Sequence, residues 1–262
     1  MLAIFSSGRK RRFGKVLFAL SGLRIRRCLV APGKIGQSRT GLARQALGCD
    51  VTAIQRWLLG LLATAAVVAA TYAWLDRPVA QFAHARFAHH AAFAELTHIP
   101  DPFVPLAVVV FVGLGLWALC GRALSKSAAT ALLCSISLVM AEMLKIQLKF
   151  MFGRTWPETW VQNNPSFIRD GAYGFNLFHG GPGFASFPSG HTAITCAVIS
   201  VLWIAYPRWR ALYALVVAAV AVGLIGANFH FLSDVIAGGF VGVSTGWMVT
   251  ALWRARAPTD AP

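Results

Sequence analysis

Long apolar runs separated by short polar or basic stretches recur from Trp57 to Trp253. Each run is close to the roughly 20 residues that carry an α-helix across a bilayer. In chain order they predict six membrane helices, at 57–75, 103–120, 127–148, 189–206, 211–228 and 235–253. Residues 76–105, with Arg77-Pro78, several histidines and Glu95, read as an amphipathic interfacial segment and loop. Residues 149–187 hold most of the exposed aromatic, Asn, Gly and Pro residues and read as one long loop. The predicted fold is therefore all-α, a polytopic membrane protein with six transmembrane helices in one bundle. Residues 51–256 form that domain, 1–50 a basic, weakly ordered cytoplasmic N-terminal extension, and 257–262 a C-terminal tail.

Composition agrees with this pattern: 57% of residues are hydrophobic and only 13% charged. The formal charge of +15 could suggest a nucleic-acid partner, but 12 of the 24 Lys and Arg lie between Arg9 and Arg56, ahead of the first long apolar run. That is the pattern of a juxtamembrane tail facing the bilayer, so no nucleic acid is expected. The remaining basic clusters, Arg122/Lys126, Arg208/Arg210 and Arg254/Arg256, fall on the same side as the tail, which predicts that both termini are cytoplasmic. The opposite face then receives the end of the third span, the start of the fourth and the junction of the fifth and sixth. The five cysteines have neither disulfide nor zinc-ligand spacing.

Three stretches at that face carry chemistry. Phe187-Pro188-Ser189-Gly190-His191-Thr192 places a hydroxyl, a bare backbone amide and an imidazole at a helix entrance. Free first-turn N–H groups and the positive end of the helix dipole favour phosphate there, although Pro-Ser-Gly reads equally well as an ordinary helix cap. His230-x3-Asp234 brings a carboxylate within reach of an imidazole, so that Asp234 can hold one ring nitrogen and leave the other free to attack. Lys149 and Arg154 follow the third span. Glu142 and Lys145 read as an i,i+3 pair that offsets the cost of charge in a span, and His98 and Asp101 as a solvated loop.

Lys149-x6-Trp156-Pro157, Pro188-Ser189-Gly190-His191 and His230-x3-Asp234 together resemble the three motifs of the type 2 phosphatidic acid phosphatase superfamily, which also includes vanadium haloperoxidases and glucose-6-phosphatase. The resemblance covers residues 57–253. Two positions depart from it: Trp156 stands where the first motif has Arg, and Gly223-Leu224 where the third has Ser-Arg. The resemblance implies an inner-membrane lipid phosphatase whose site faces the periplasm, acting on a lipid phosphate monoester or diphosphate and requiring no cofactor or metal. It further implies that His230, oriented by Asp234, attacks phosphorus and that His191 serves as acid and then base. Lys149, Ser189, Gly190 and, in place of a missing guanidinium, Arg154 would bind the phosphate oxygens, with Lys145 and Asn228 assisting. A lipid phosphotransferase on the same scaffold, and a membrane lipid-binding or transport protein with a dismantled site, are the alternatives.

Overall fold

The computed structural model describes residues 39–87, 90–160 and 162–256. Nearly all of the predicted N-terminal extension, up to residue 38, and the tail 257–262 lie outside the described residues. The helices are α1 (Arg39–Trp74), α2 (Asp76–Phe87), α3 (Ala91–Thr97), α4 (Phe103–Leu119), α5 (Lys126–Phe152), α6 (Phe167–Asp170), α7 (Gly190–Ala205), α8 (Arg210–Gly226) and α9 (Leu232–Arg256), with 3₁₀ turns at Pro182–Phe184 and Pro207–Trp209. Among the described residues, extended pairing is limited to isolated bridges at Arg154 and Trp156.

The chain is an all-helical membrane protein. Among the described residues four segments are long and apolar enough to cross a bilayer: Thr52–Trp74, Lys126–Phe152, Pro207–Gly226 and Leu232–Ala255. Helices α4 and α7 are apolar but shorter, at 17 and 16 residues. At 1.5 Å per residue α7 is about 24 Å long, less than a typical hydrocarbon core. Its start is set by Ser189, which occupies the N-cap. The stretch 76–105, expected to be an interfacial segment and loop, instead contains α2 and α3. Helix α3 docks on α8 where that helix offers no side chain: a Cβ at Gly223 or Gly226 would lie 2.7 Å from Leu96 Cβ or 2.3 Å from Phe93 Cδ1.

Lipid tails are as apolar as leucine, so the helices are held by close packing and polar contacts between them rather than by transfer out of water. The outer faces of α1, α4 and α8 carry exposed Leu62, Val109 and Leu215, as lipid contact requires. Inside, Leu138 of α5 packs on Ala107 and Ile194, Leu133 on Val201 and Val249, and Val220 and Leu224 of α8 on Val235 of α9. The tightest seam joins α7 to α9. Gly238, Gly242 and Gly246 recur every four residues on one face of α9, where a Cβ would lie 2.4 Å from Ser189 O, 2.2 Å from Ala193 O and 1.9 Å from Ser200 Oγ. Ser137 of α5 ties into this seam, donating to Ala197 O at 3.0 Å with its Oγ 3.2 Å from Thr245 Oγ1. Such contacts contribute on average about 0.6 kcal/mol each.

The Gly242→Ala variant is expected to lose roughly 1–3 kcal/mol of stability in detergent unfolding titrations, because neither helix backbone can yield to the added methyl. Gly113→Ala is the control: its Cβ would meet nothing within 4 Å, and it should not be destabilised.

Candidate active site

Three local structures deliver the candidate residues. Helix α5 runs one turn beyond its predicted end and stops at Phe152, where Gly153 adopts the left-handed conformation (φ 51°, ψ 51°) and returns its N–H to Lys149 O. A Cβ at Gly153 would lie 1.9 Å from Asn176 O, so this tight cap requires glycine. It leaves Lys149 on the last helical turn and Arg154 just past the cap, fully buried. At the head of α7, Ser189 Oγ accepts the Thr192 N–H at 3.5 Å and the Thr192 hydroxyl at 3.1 Å, which puts Gly190 and His191 in the first turn. Between α8 and α9, Asn228 takes φ 58° and the Phe229 N–H returns to Leu224 O at 2.9 Å. Asp234, in the first turn of α9, accepts the Phe231 N–H at 3.0 Å as the carboxylate half of a capping box. His230 is thus held in the turn just ahead of the helix.

These elements enclose a cavity of about 360 Å³. His230 lies in its wall and is 4% exposed, with Nδ1 3.5 Å from Asp234 Oδ2, so the other ring nitrogen, Nε2, is left for the cavity. Ser186 donates to the same Asp234 oxygen at 2.6 Å and sits 3.5 Å from His230 Nδ1. Burial pushes the His230 imidazole below its ordinary pKa, opposed by its hydrogen bond and charge interaction with Asp234. Across the cavity, His191 Nε2 lies 3.8 Å from Asp101 Oδ1, and the other Asp101 oxygen is 2.7 Å from His98 Nδ1.

Lys145 and Lys149 bring positive charge. Lys145 pairs with Glu142 at 2.6 Å as the i,i+3 spacing predicts, and both also line the cavity. A Cβ at Gly190 would lie 3.1 Å from Lys145 Nζ, so the missing side chain is what lets this ammonium rest over the amide end of α7. Lys149 donates to Ala185 O and sits 5.4 Å from the centroid of the Trp156 ring.

Of the predicted site residues, Lys149, Gly190, His191 and His230 line the cavity, and Asp234 stands directly behind His230. Ser189 and Arg154 do not. Ser189 is fully buried and its hydroxyl caps α7. Arg154 is also fully buried, with its guanidinium turned away from the cavity onto Asp234 and Asp76. Both side chains are thus engaged within the protein, Ser189 as the helix cap and Arg154 by its two carboxylates. Asn228 likewise faces away, donating to Glu158 Oε2 at 3.1 Å.

Trp156 is a wall of the cavity, its ring 5.1 Å from that of His230 and its Nε1 donating to Pro182 O at 2.7 Å. Leu224 is buried in the α8–α9 core. Neither missing guanidinium is restored, and the cationic groups lining the cavity are Lys145 and Lys149. Sequence reasoning missed Asp76, Ser186 and Ser233, and preferred a solvated loop to an entrance-lining role for Asp101. For Asp76 the available signal was a lone carboxylate at the end of an apolar run. Among the described residues no group of three or more His, Cys, Asp and Glu side chains is placed to hold a metal ion.

Comparison with known proteins adds the family. A lipid A 1-phosphatase of Rhizobium etli is 32% identical over 124 residues, 46% of this chain and 48% of the relative, so the chain spans about half the length of the curated relative it matches. Two crystal structures are similar at low identity: LpxE of Aquifex aeolicus (22% identical, 68% of this chain and 95% of that one, TM-score 0.44) and a transmembrane PAP2 type phosphatidylglycerolphosphate phosphatase from Bacillus subtilis (16%, 78% and 98%, TM-score 0.47). The family model of the PAP2 superfamily matches residues 128–258, half of the chain, a stretch that contains all three motifs, and on that match the chain belongs to the PAP2 superfamily.

Proposed function

We propose that this protein hydrolyses the phosphate of a membrane lipid, a monoester or diphosphate, through a phosphohistidine on His230. The observation that carries the reading is the pairing of a nearly buried imidazole, backed by Asp234, with Lys149, Lys145 and the amide end of α7 around a single cavity. His230 Nε2 attacks phosphorus and the P–O bond to the lipid breaks. Asp234 stabilises the positive charge that the ring acquires. His191 gives a proton to the departing oxygen, then takes one from the water whose attack breaks the N–P bond. Lys149, Lys145 and the Gly190 N–H face the charge that develops on the equatorial oxygens. A site at the ends of α5 and α7 suits a headgroup at the membrane surface, and the basic residues at the opposite helix ends favour a periplasmic opening in an inner-membrane protein. The Rhizobium relative bears the name lipid A 1-phosphatase, which makes a lipid A phosphate the first substrate to test.

Purified protein in detergent, with EDTA present, is expected to release phosphate from at least one member of a panel of lipid phosphates. His230→Ala should abolish release, and His191→Ala should lower kcat about 10²- to 10⁴-fold. Phosphate appearing on an acceptor lipid instead of in solution would identify a transferase. Absence of both would indicate a binding protein.

The nucleophile is the neutral imidazole, so kcat/KM should fall as pH drops through the His230 pKa. Because burial lowers that pKa, the acid limb should have its midpoint below the ordinary histidine value of about 6.5. A midpoint above that value would contradict the assignment.

A further inference from the structure

We propose that Arg154 and Asp76 form a buried strut that sets the orientation of the Asp234–His230 pair, which makes both of them positioning residues; this rests on the reading of His230 as the nucleophile. Arg154 Nη1 donates to Asp234 Oδ1 and to Ser233 Oγ, and Nη2 donates to Asp76 Oδ2 at 2.7 Å. Both carboxylates and the guanidinium are completely buried. Asp76 also accepts the Ser233 N–H at 2.9 Å and the Ser233 hydroxyl, so it holds the first turn of α9 at the end where an anion is favoured. The rings of Tyr72, Tyr173, Phe175 and Phe231 surround the guanidinium, with centroids 4.3–5.4 Å from Cζ. Tyr173 donates to Tyr72 O at 2.6 Å, which locks this enclosure to the end of α1.

The two oxygens of Asp234 are thereby divided. Oδ1 is taken by Arg154, and Oδ2 is left to Ser186, the Phe231 N–H and His230 Nδ1. A carboxylate clamped at one oxygen cannot rotate, so its second oxygen offers the histidine a fixed acceptor. Arg154 is not free to take a phosphate oxygen, because withdrawing it would leave two buried carboxylates unpaired. Asp76 lies outside the segment matched by the family model, so the far end of the strut comes from a part of the chain that the motifs do not describe.

The test uses the full chain in detergent, with Arg154→Lys, whose ammonium lacks the planar fork that places one nitrogen on each carboxylate, and Asp76→Asn. Three quantities are measured: kcat and KM on the lipid phosphate that the wild type turns over, inhibition by inorganic phosphate, and the ¹⁵N shifts of the His230 ring. In both variants kcat is expected to fall about 10- to 100-fold, with KM and phosphate inhibition within about twofold of wild type. The His230 nitrogens should change from one protonated tautomer to a mixture. Weakened phosphate inhibition with kcat intact would instead make Arg154 a phosphate ligand. Folded variants with wild-type kcat and wild-type His230 shifts would overturn the strut. Where either variant fails to fold, Ser233→Ala removes one hydroxyl of the same network, keeps both charges paired, and is expected to show the same changes at smaller size. The ring shifts can be read without turnover, so a wild type inactive on every lipid would refute the phosphatase reading and leave the strut to be judged by NMR.

Discussion

A guanidinium enclosed without solvent needs its charge matched, and Arg154 has it matched by Asp76 on one side and Asp234 on the other. Removing one partner of such a buried set typically costs about 3–5 kcal/mol, so the three side chains dictate where their backbones sit. Arg154 follows the Gly153 turn, Asp76 opens α2 and Asp234 lies in the first turn of α9. One interaction therefore ties together the end of α5, the start of α2 and the head of α9. The aromatic rings around Arg154 exclude water and leave no competing partner for its charge.

The second constraint is the approach of α7 to α9. With glycine at three successive turns, the α9 backbone reaches the α7 backbone directly, and a polar triad of Ser137, Ala197 O and Thr245 extends the contact to α5. His191 leaves the first turn of α7 and His230 lies two residues ahead of α9. The separation of the two imidazoles is thus governed by the packing of α7 on α9 and by the short turn that leads into α9.

The cavity differs in charge from what the motifs of its family suggest. Trp156 supplies a flat wall beside His230, Leu224 has joined the core, and cationic contact is left to Lys145 and Lys149. Lysines are compact point charges on flexible stems, whereas arginines clamp oxygens in pairs. With Asp101 and Glu142 also in the wall, the positive charge is largely balanced before any ligand arrives. The cavity thus combines a helix end and two ammonium groups with one aromatic wall.

Much of this was legible in the chain alone. Apolar run lengths located the helices, Ser189 marked the start of α7, and the order of the motifs foretold that Lys149, His191, His230 and Asp234 would gather at one end of the bundle. These features depend on hydropathy and capping, which act over a few residues. The partners of Arg154 were not legible. Asp76 lies 78 positions from Arg154 and 157 from Ser233, and no local pattern marks which carboxylate a buried cation will meet after the helices dock. The same holds for Asp101 beside His191, and for α3, whose place follows from the glycine face of α8. The sequence by itself determined where the long apolar helices run and which end carries the chemistry, because those are short-range consequences of composition and spacing. Only the tertiary structure decided that Arg154 serves Asp234 rather than the cavity, because the choice turns on burial and on charges brought together from opposite ends of the chain.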